Sequence, residues 1–152
     1  MKWIVGVLVA LVSLTACAQT STVEESAPFE ELADGSCNSE ESRLVQGHIS
    51  GQITALSKED WESAYSYAAP GFQETVGLDQ FIFVITSQYQ MLISNESVKY
   101  GACDIVNKEI TQEVIVTSEN ESYKLAYSLS LNNQKLGIES ASVRFSEPEV
   151  ST

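Results

Sequence analysis

An α+β fold, with three N-terminal helices packed on one face of a curved four-stranded antiparallel sheet, follows from three features of this sequence. Apolar residues recur at helical spacing between residues 39 and 92, and beyond Asn95 the period changes to two. The alternating runs are joined by short connections, which suit antiparallel neighbours, and one apolar face per strand suits a sheet covered on one side by helices. A length of 152 residues allows one domain of ordinary size.

Asn38, followed three residues later by Glu41, is a capping-box signal. Leu44, Val45, Ile49, Ile53 and Leu56 then recur near helical spacing and predict a helix over residues 39–56. Ser57 and Asp60 form a second capping pattern, with Trp61, Ala64, Tyr65 and Ala68 on one face behind it. That helix should end near Ala69, because Pro70 and Gly71 disfavour continuation, with residues 72–76 as one further turn. Phe81, Val84, Ile85, Gln88, Tyr89 and Leu92 predict a third helix over residues 78–92.

In the second half Val98, Tyr100 and Ala102 alternate with polar or small residues, and Val114 and Val116 flank Ile115. The clearest strand has Tyr123, Leu125, Tyr127, Leu129 and Leu131 on one face and Lys124, Ala126, Ser128 and Ser130 on the other. Asn132-Asn133-Gln134-Lys135 reads as a hairpin loop leading to a last strand over residues 136–145. There is no internal repeat.

The segment before the fold reads as an address. Lys2 and the amino terminus precede an apolar run over residues 3–14, too short to span a bilayer and suited to the core of a signal peptide. It ends in Leu14-Thr15-Ala16-Cys17, which resembles the bacterial lipobox, with cleavage between Ala16 and Cys17 and lipid on the Cys17 thiol. The alternative is an ordinary secretory signal cleaved nearby. Residues 18–36 carry Glu24, Glu25, Glu30, Glu31 and Asp34 with no basic residue, so a disordered acidic tether is expected. The organisation expected is a signal over 1–16, a lipidated tether over 17–36, a domain over 37–147 and a tail over 148–152.

Hydrophobic residues make up 43% of the chain, enough for a core. Asp and Glu number 21 against 8 Lys and Arg, for a net charge of −13. With no basic cluster to offset it, such a surface repels phosphate backbones and argues against nucleic-acid binding. One His and three Cys are too few for a conventional zinc or iron–sulfur site, and no D-x-D-x-D-G calcium loop occurs, so no cofactor is expected. Asn95-Glu96-Ser97 and Asn120-Glu121-Ser122 match a glycosylation acceptor but read as turn residues. In an exported chain whose first cysteine takes lipid, Cys37 and Cys103 remain as one possible disulfide, the alternative being two buried thiols.

Three helices followed by four antiparallel strands resemble the nuclear transport factor 2-like, or cystatin-like, cone. Ile49 to Leu56, then Ala64-Tyr65-Ser66-Tyr67-Ala68-Ala69-Pro70-Gly71-Phe72, then Phe81-Ile82-Phe83-Val84 and Tyr89, resemble the bacterial family called domain of unknown function 4864. The likeness covers residues 43–145. It departs at Leu136-Gly137-Ile138-Glu139-Ser140, where the family pattern Trp-x-Ile-x-Gly lacks its Trp and shifts its Gly. These are packing motifs, and the resemblance implies a fold and no activity.

Some relatives in the wider superfamily use a buried carboxylate with Tyr or His in the cone. The corresponding candidates for a pocket lining are Tyr65, Tyr89 and Tyr127, with Asp104 as the carboxylate in phase with the first strand's apolar residues. Tyr on such faces is more often core. His48, the sole imidazole, borders the first helix's apolar stripe, and no nucleophile or acid partner is identifiable by spacing, so catalytic residues are not assigned. The expectation is a lipid-anchored envelope protein whose domain binds an unknown small ligand or envelope protein without catalysis. The alternatives are an isomerase- or dehydratase-like enzyme and a structural dimer using the open sheet face. Small polar side chains on that face and the strong negative charge favour a monomer or weak dimer.

Overall fold

Asn38 opens the first helix as its spacing with Glu41 predicts. Its Oδ1 accepts from the backbone N–H groups of Glu40 and Glu41, both at 2.9 Å, and Glu41 Oε2 accepts from the Asn38 N–H at 2.8 Å. The pair satisfies donors that no intrahelical carbonyl can reach, and α1 (Ser39–Ser57) follows. In this computed structural model, Phe29 and residues 31–144 are described.

Asp60 caps α2 (Trp61–Ser66) by accepting from the Ser63 N–H at 3.2 Å, while Ser57 closes α1 instead of starting the second helix. The chain leaves the helix at Tyr67, and Pro70 stands at the first position of α3 (Pro70–Thr75), where its missing N–H costs nothing. The third helix expected over residues 78–92 is two helices, α4 (Leu78–Gln88) and α5 (Gln90–Ile93). The break falls at Tyr89, whose φ of −124° and ψ of 34° are not helical and whose hydroxyl donates to Ala141 O at 2.6 Å. The described residues therefore hold five helices, where three and a further turn over residues 72–76 were expected; α3 is that turn, and the split at Tyr89 gives the other.

Among the described residues five strands, one more than expected, form a single antiparallel sheet in sequence order: β1 (Gly35–Ser36), β2 (Ser97–Val106), β3 (Glu109–Ser118), β4 (Glu121–Asn132) and β5 (Lys135–Arg144). Asn107-Lys108, Glu119-Asn120 and Asn133-Gln134 make the three long hairpin turns, all six residues having φ between 50° and 67°. Two consecutive left-handed residues give the turn whose twist matches that of paired strands.

Two bulges interrupt the ladders. Tyr100 pairs with Val114, yet Cys103 pairs with Gln112, so β2 carries one extra residue there. Ser140 pairs with Ser128 and Ile138 with Leu129, so Glu139 is extra in β5. Each bulge bends its strand and moves the following side chains to the opposite face. On the helix side Ile110, Val114, Val116, Leu125, Tyr127 and Leu129 are wholly buried. The other face carries Lys124, Ala126, Ser128 and Ser130 as the alternation predicts, with Lys124 paired to Glu113 at 3.4 Å.

Cys37 and Cys103 form a disulfide with Cα atoms 5.4 Å apart, and the Cys37 N–H donates to Cys103 O at 2.9 Å. The folded unit starts before residue 37, contrary to the expected tether boundary. Phe29 is only 6% exposed, Leu32 packs on the core, and Gly35 and Ser36 pair with Ile105 and Asp104. The expected signal, with Ala16 and Cys17, lies outside the described residues, as does the expected tail. No helix among the described residues is long and apolar enough to cross a membrane.

Candidate functional site: a groove at the β5 edge

The outer edge of the sheet is closed at one point. Ile138 donates its N–H to Tyr67 O and accepts from the Ala69 N–H, both at 2.9 Å, so the segment after α2 lies as a short parallel bridge along β5. Gly137 permits this approach: a Cβ there would stand 2.6 Å from Ala69 Cα. Gly51 plays the matching part in α1, where a Cβ would collide with the Tyr67 ring.

Past Ile138 the bulge at Glu139 breaks the regular ladder, and a groove of about 200 Å³ lies between this edge and the helices. Phe72 and Val76 line one part, Phe81, Val84 and Ile85 of α4 another, and Ser140 and Ala141 the strand side. Leu92, Ile138 and Tyr127 lie deeper. No Lys, Arg or His is among the lining residues. The one ionisable acid, Glu139, accepts a hydrogen bond through its carboxylate from Ser130, whose side chain is on the open face.

Tyr127 is fully buried, and its hydroxyl has no hydrogen-bond partner among the described residues. Burial pushes its pKa up strongly, with smaller contributions from the neighbouring Tyr100 and Tyr89 phenols, so the group stays a neutral O–H. Beside it on β3, Gln112 also has no solvent contact. Its Nε2 donates to Gly101, Ala102 and Glu113 carbonyls at 2.9–3.2 Å around the β2 bulge, while its Oε1 has no partner. The Tyr100 hydroxyl lies near Ser50 without a well-formed hydrogen bond. Buried polar atoms left unpaired are costly, and so point to something that would pair them.

The four pocket candidates separate. Tyr89 and Tyr127 line the groove. Tyr65 does not: its hydroxyl donates to Val76 O at 2.6 Å, and its ring stands 5.5 Å from that of Phe81, so it braces the groove's wall from behind. Asp104 is on the wrong face. The β2 bulge ends the phase that Val98 and Tyr100 begin, so Cys103 and Ile105 turn inward and Asp104 turns out, where it accepts from Ser36 Oγ at 3.0 Å. His48 does not line the groove either. Its Nε2 donates to Tyr67 O at 2.9 Å, and burial lowers its pKa more than that bond raises it. Gln52 also lines the groove, a polar residue in phase with Ile49, Ile53 and Leu56 that no motif marks; its Nε2 faces Ala64 O at 3.4 Å. Among the described residues no three His, Cys, Asp or Glu converge as a metal site.

The family model described as "Domain of unknown function (DUF4864)" matches residues 38–149. The chain belongs to this family. A comparison with curated protein sequences found no match. The matched segment contains α1 to α5, β2 to β5 and the β5 edge, while β1 and Cys37 precede it.

Proposed function

We propose that this is a non-catalytic binding domain, held at the cell envelope by lipid on Cys17, which takes a small and mostly apolar ligand into the groove between α4 and β5. The observation that carries the reading is the groove itself: concave, walled by aromatic and aliphatic side chains, with few polar groups at its base. An isomerase- or dehydratase-like reading is less favoured, because it needs a carboxylate or imidazole beside the substrate. Asp104 is across the sheet, His48 is bonded to Tyr67 O, and Glu139, the carboxylate at the groove, is engaged by the Ser130 hydroxyl of the open face. The architecture fits the cystatin-like cone of the nuclear transport factor 2-like superfamily, with helices on the concave side. A monomer or weak dimer is the preferred state, since the open face offers mainly small and polar side chains.

The envelope part rests on residues 1–17 and agrees with a disulfide that an oxidising compartment would maintain. Cys17→Ser should leave the chain unacylated and poorly retained in membrane fractions. Binding is tested with an apolar fluorescent dye and two variants. Val84→Trp, which fills the groove, should abolish dye binding, whereas Ala126→Trp on the open face should not. Loss of binding only with Ala126→Trp would move the site to the other face and defeat the proposal.

A further inference from the structure

We infer that the groove selects an uncharged ligand of about one ring, carrying a hydrogen-bond acceptor such as a carbonyl oxygen, with Tyr127 as the donor that recognises it. This rests on the reading of the groove as a ligand site and adds the chemistry of what fits.

Three observations converge. Size comes first: a cavity of about 150 Å³ is enough for benzene, and this one is about 200 Å³, so one ring with a short substituent fills it. Charge comes second. No cationic side chain is present to pair with a carboxylate or phosphate, and the protein carries −13 overall, so an anion would be desolvated without a partner. The third is the Tyr127 hydroxyl. It is buried, unpartnered and neutral, and it is the groove's uncommitted phenol, because Tyr89 already donates to Ala141 O at 2.6 Å. A neutral phenol offers one proton, and the group that takes it from an apolar ligand is a lone-pair oxygen or nitrogen. Because the hydroxyl has no contact with solvent, seating the acceptor requires a small movement of neighbouring side chains, Tyr89 among them.

The test titrates the purified full chain with three probes of nearly equal shape: acetophenone, isopropylbenzene and benzoate. Acetophenone should bind roughly three- to tenfold more tightly than isopropylbenzene, as a single net hydrogen bond provides. Benzoate should bind at least about tenfold more weakly than acetophenone. In Tyr127→Phe the preference for acetophenone should vanish while isopropylbenzene binds as before. That variant removes only an unpartnered hydroxyl, so its thermal stability should be unchanged or higher, which separates a lost bond from a lost fold. Equal binding of acetophenone and isopropylbenzene to the unaltered chain, or a preference that survives Tyr127→Phe, overturns the assignment of Tyr127 while leaving a ligand groove. Tightest binding of benzoate overturns the assignment of charge. Failure of all three probes to bind, with the dye also excluded, defeats the groove reading itself.

Discussion

The two edges of the sheet are closed by different means. At the β1–β2 edge the closure is covalent: the Cys37–Cys103 bond, the β1 pairing and the Asn107 N–H donating to Asp34 Oδ1 at 2.8 Å tie the N-terminal segment down. At the β5 edge it is non-covalent and local. Ile138 is bridged by residues 67–69 and Ala141 by the Tyr89 hydroxyl, and the groove opens between these contacts and the helices. An edge bound by a disulfide has little freedom to accommodate a ligand, whereas one held by a few hydrogen bonds beside an apolar groove can yield locally. Stability is thus concentrated at one edge and the candidate site at the other.

Breaking the covalent edge should have the largest effect. The disulfide closes 66 residues of sequence, which chain entropy rates at about 4 kcal/mol, so Cys37→Ser with Cys103→Ser should lower unfolding stability by roughly that amount. Dye binding by whatever remains folded should be unchanged; weakened binding in that fraction would show the two edges to be coupled. Gly137→Ala comes next. Its Cβ meets Ala69 backbone, and an overpacked contact of this kind costs about 1–3 kcal/mol in denaturant unfolding, here with altered groove binding because Ile138 moves.

The two groove tyrosines make a finer contrast. Tyr89→Phe deprives the Ala141 carbonyl of its donor and should cost about 1 kcal/mol, whereas Tyr127→Phe should cost nothing or stabilise, read as paired shifts in melting temperature. The smallest effect belongs to pH. His48 supports the same Tyr67 carbonyl that receives the Ile138 N–H, and burial holds its folded pKa below the unfolded value. Its contribution is therefore complete above the unfolded pKa near 6.5 and is lost as pH falls through that value towards the lower folded one. His48→Gln should flatten the shallow fall in melting temperature between about pH 7 and pH 5.

Much of this frame is legible in the residues. The Asn38–Glu41 box, the helix-breaking Pro70, the Asn133-Gln134 turn and the alternation from Tyr123 to Leu131 are local signals, and each stands where its chemistry places it. Bulges are not local in that sense. Nothing in Gly101-Ala102 marks an extra residue until β3 supplies the register, and a one-residue slip is what moved Asp104 from the expected pocket to the open face. Tyr89 is helical by periodicity, and its departure answers to Ala141, 52 positions away. β1 is too short for any period to appear, and Phe29 is one apolar residue in an acidic stretch. The groove's tyrosines are legible because β4 is regular and Tyr89 falls on a helical stripe. The isolation of the Tyr127 hydroxyl depends on what distant segments bring near it, Tyr100 of β2 and Tyr89 at the α4–α5 break.

The most direct test of the contrast is a residue-by-residue amide chemical-shift map of the full chain titrated with acetophenone. Shifts should gather on α3, on α4 around Val84, at Tyr127 and on β5 from Ile138 to Ala141, with Cys37, Cys103, Asp104 and Lys124 unmoved. Shifts centred on the open face or on the disulfide edge, with the β5 groove silent, would contradict the assignment of function to the non-covalent edge.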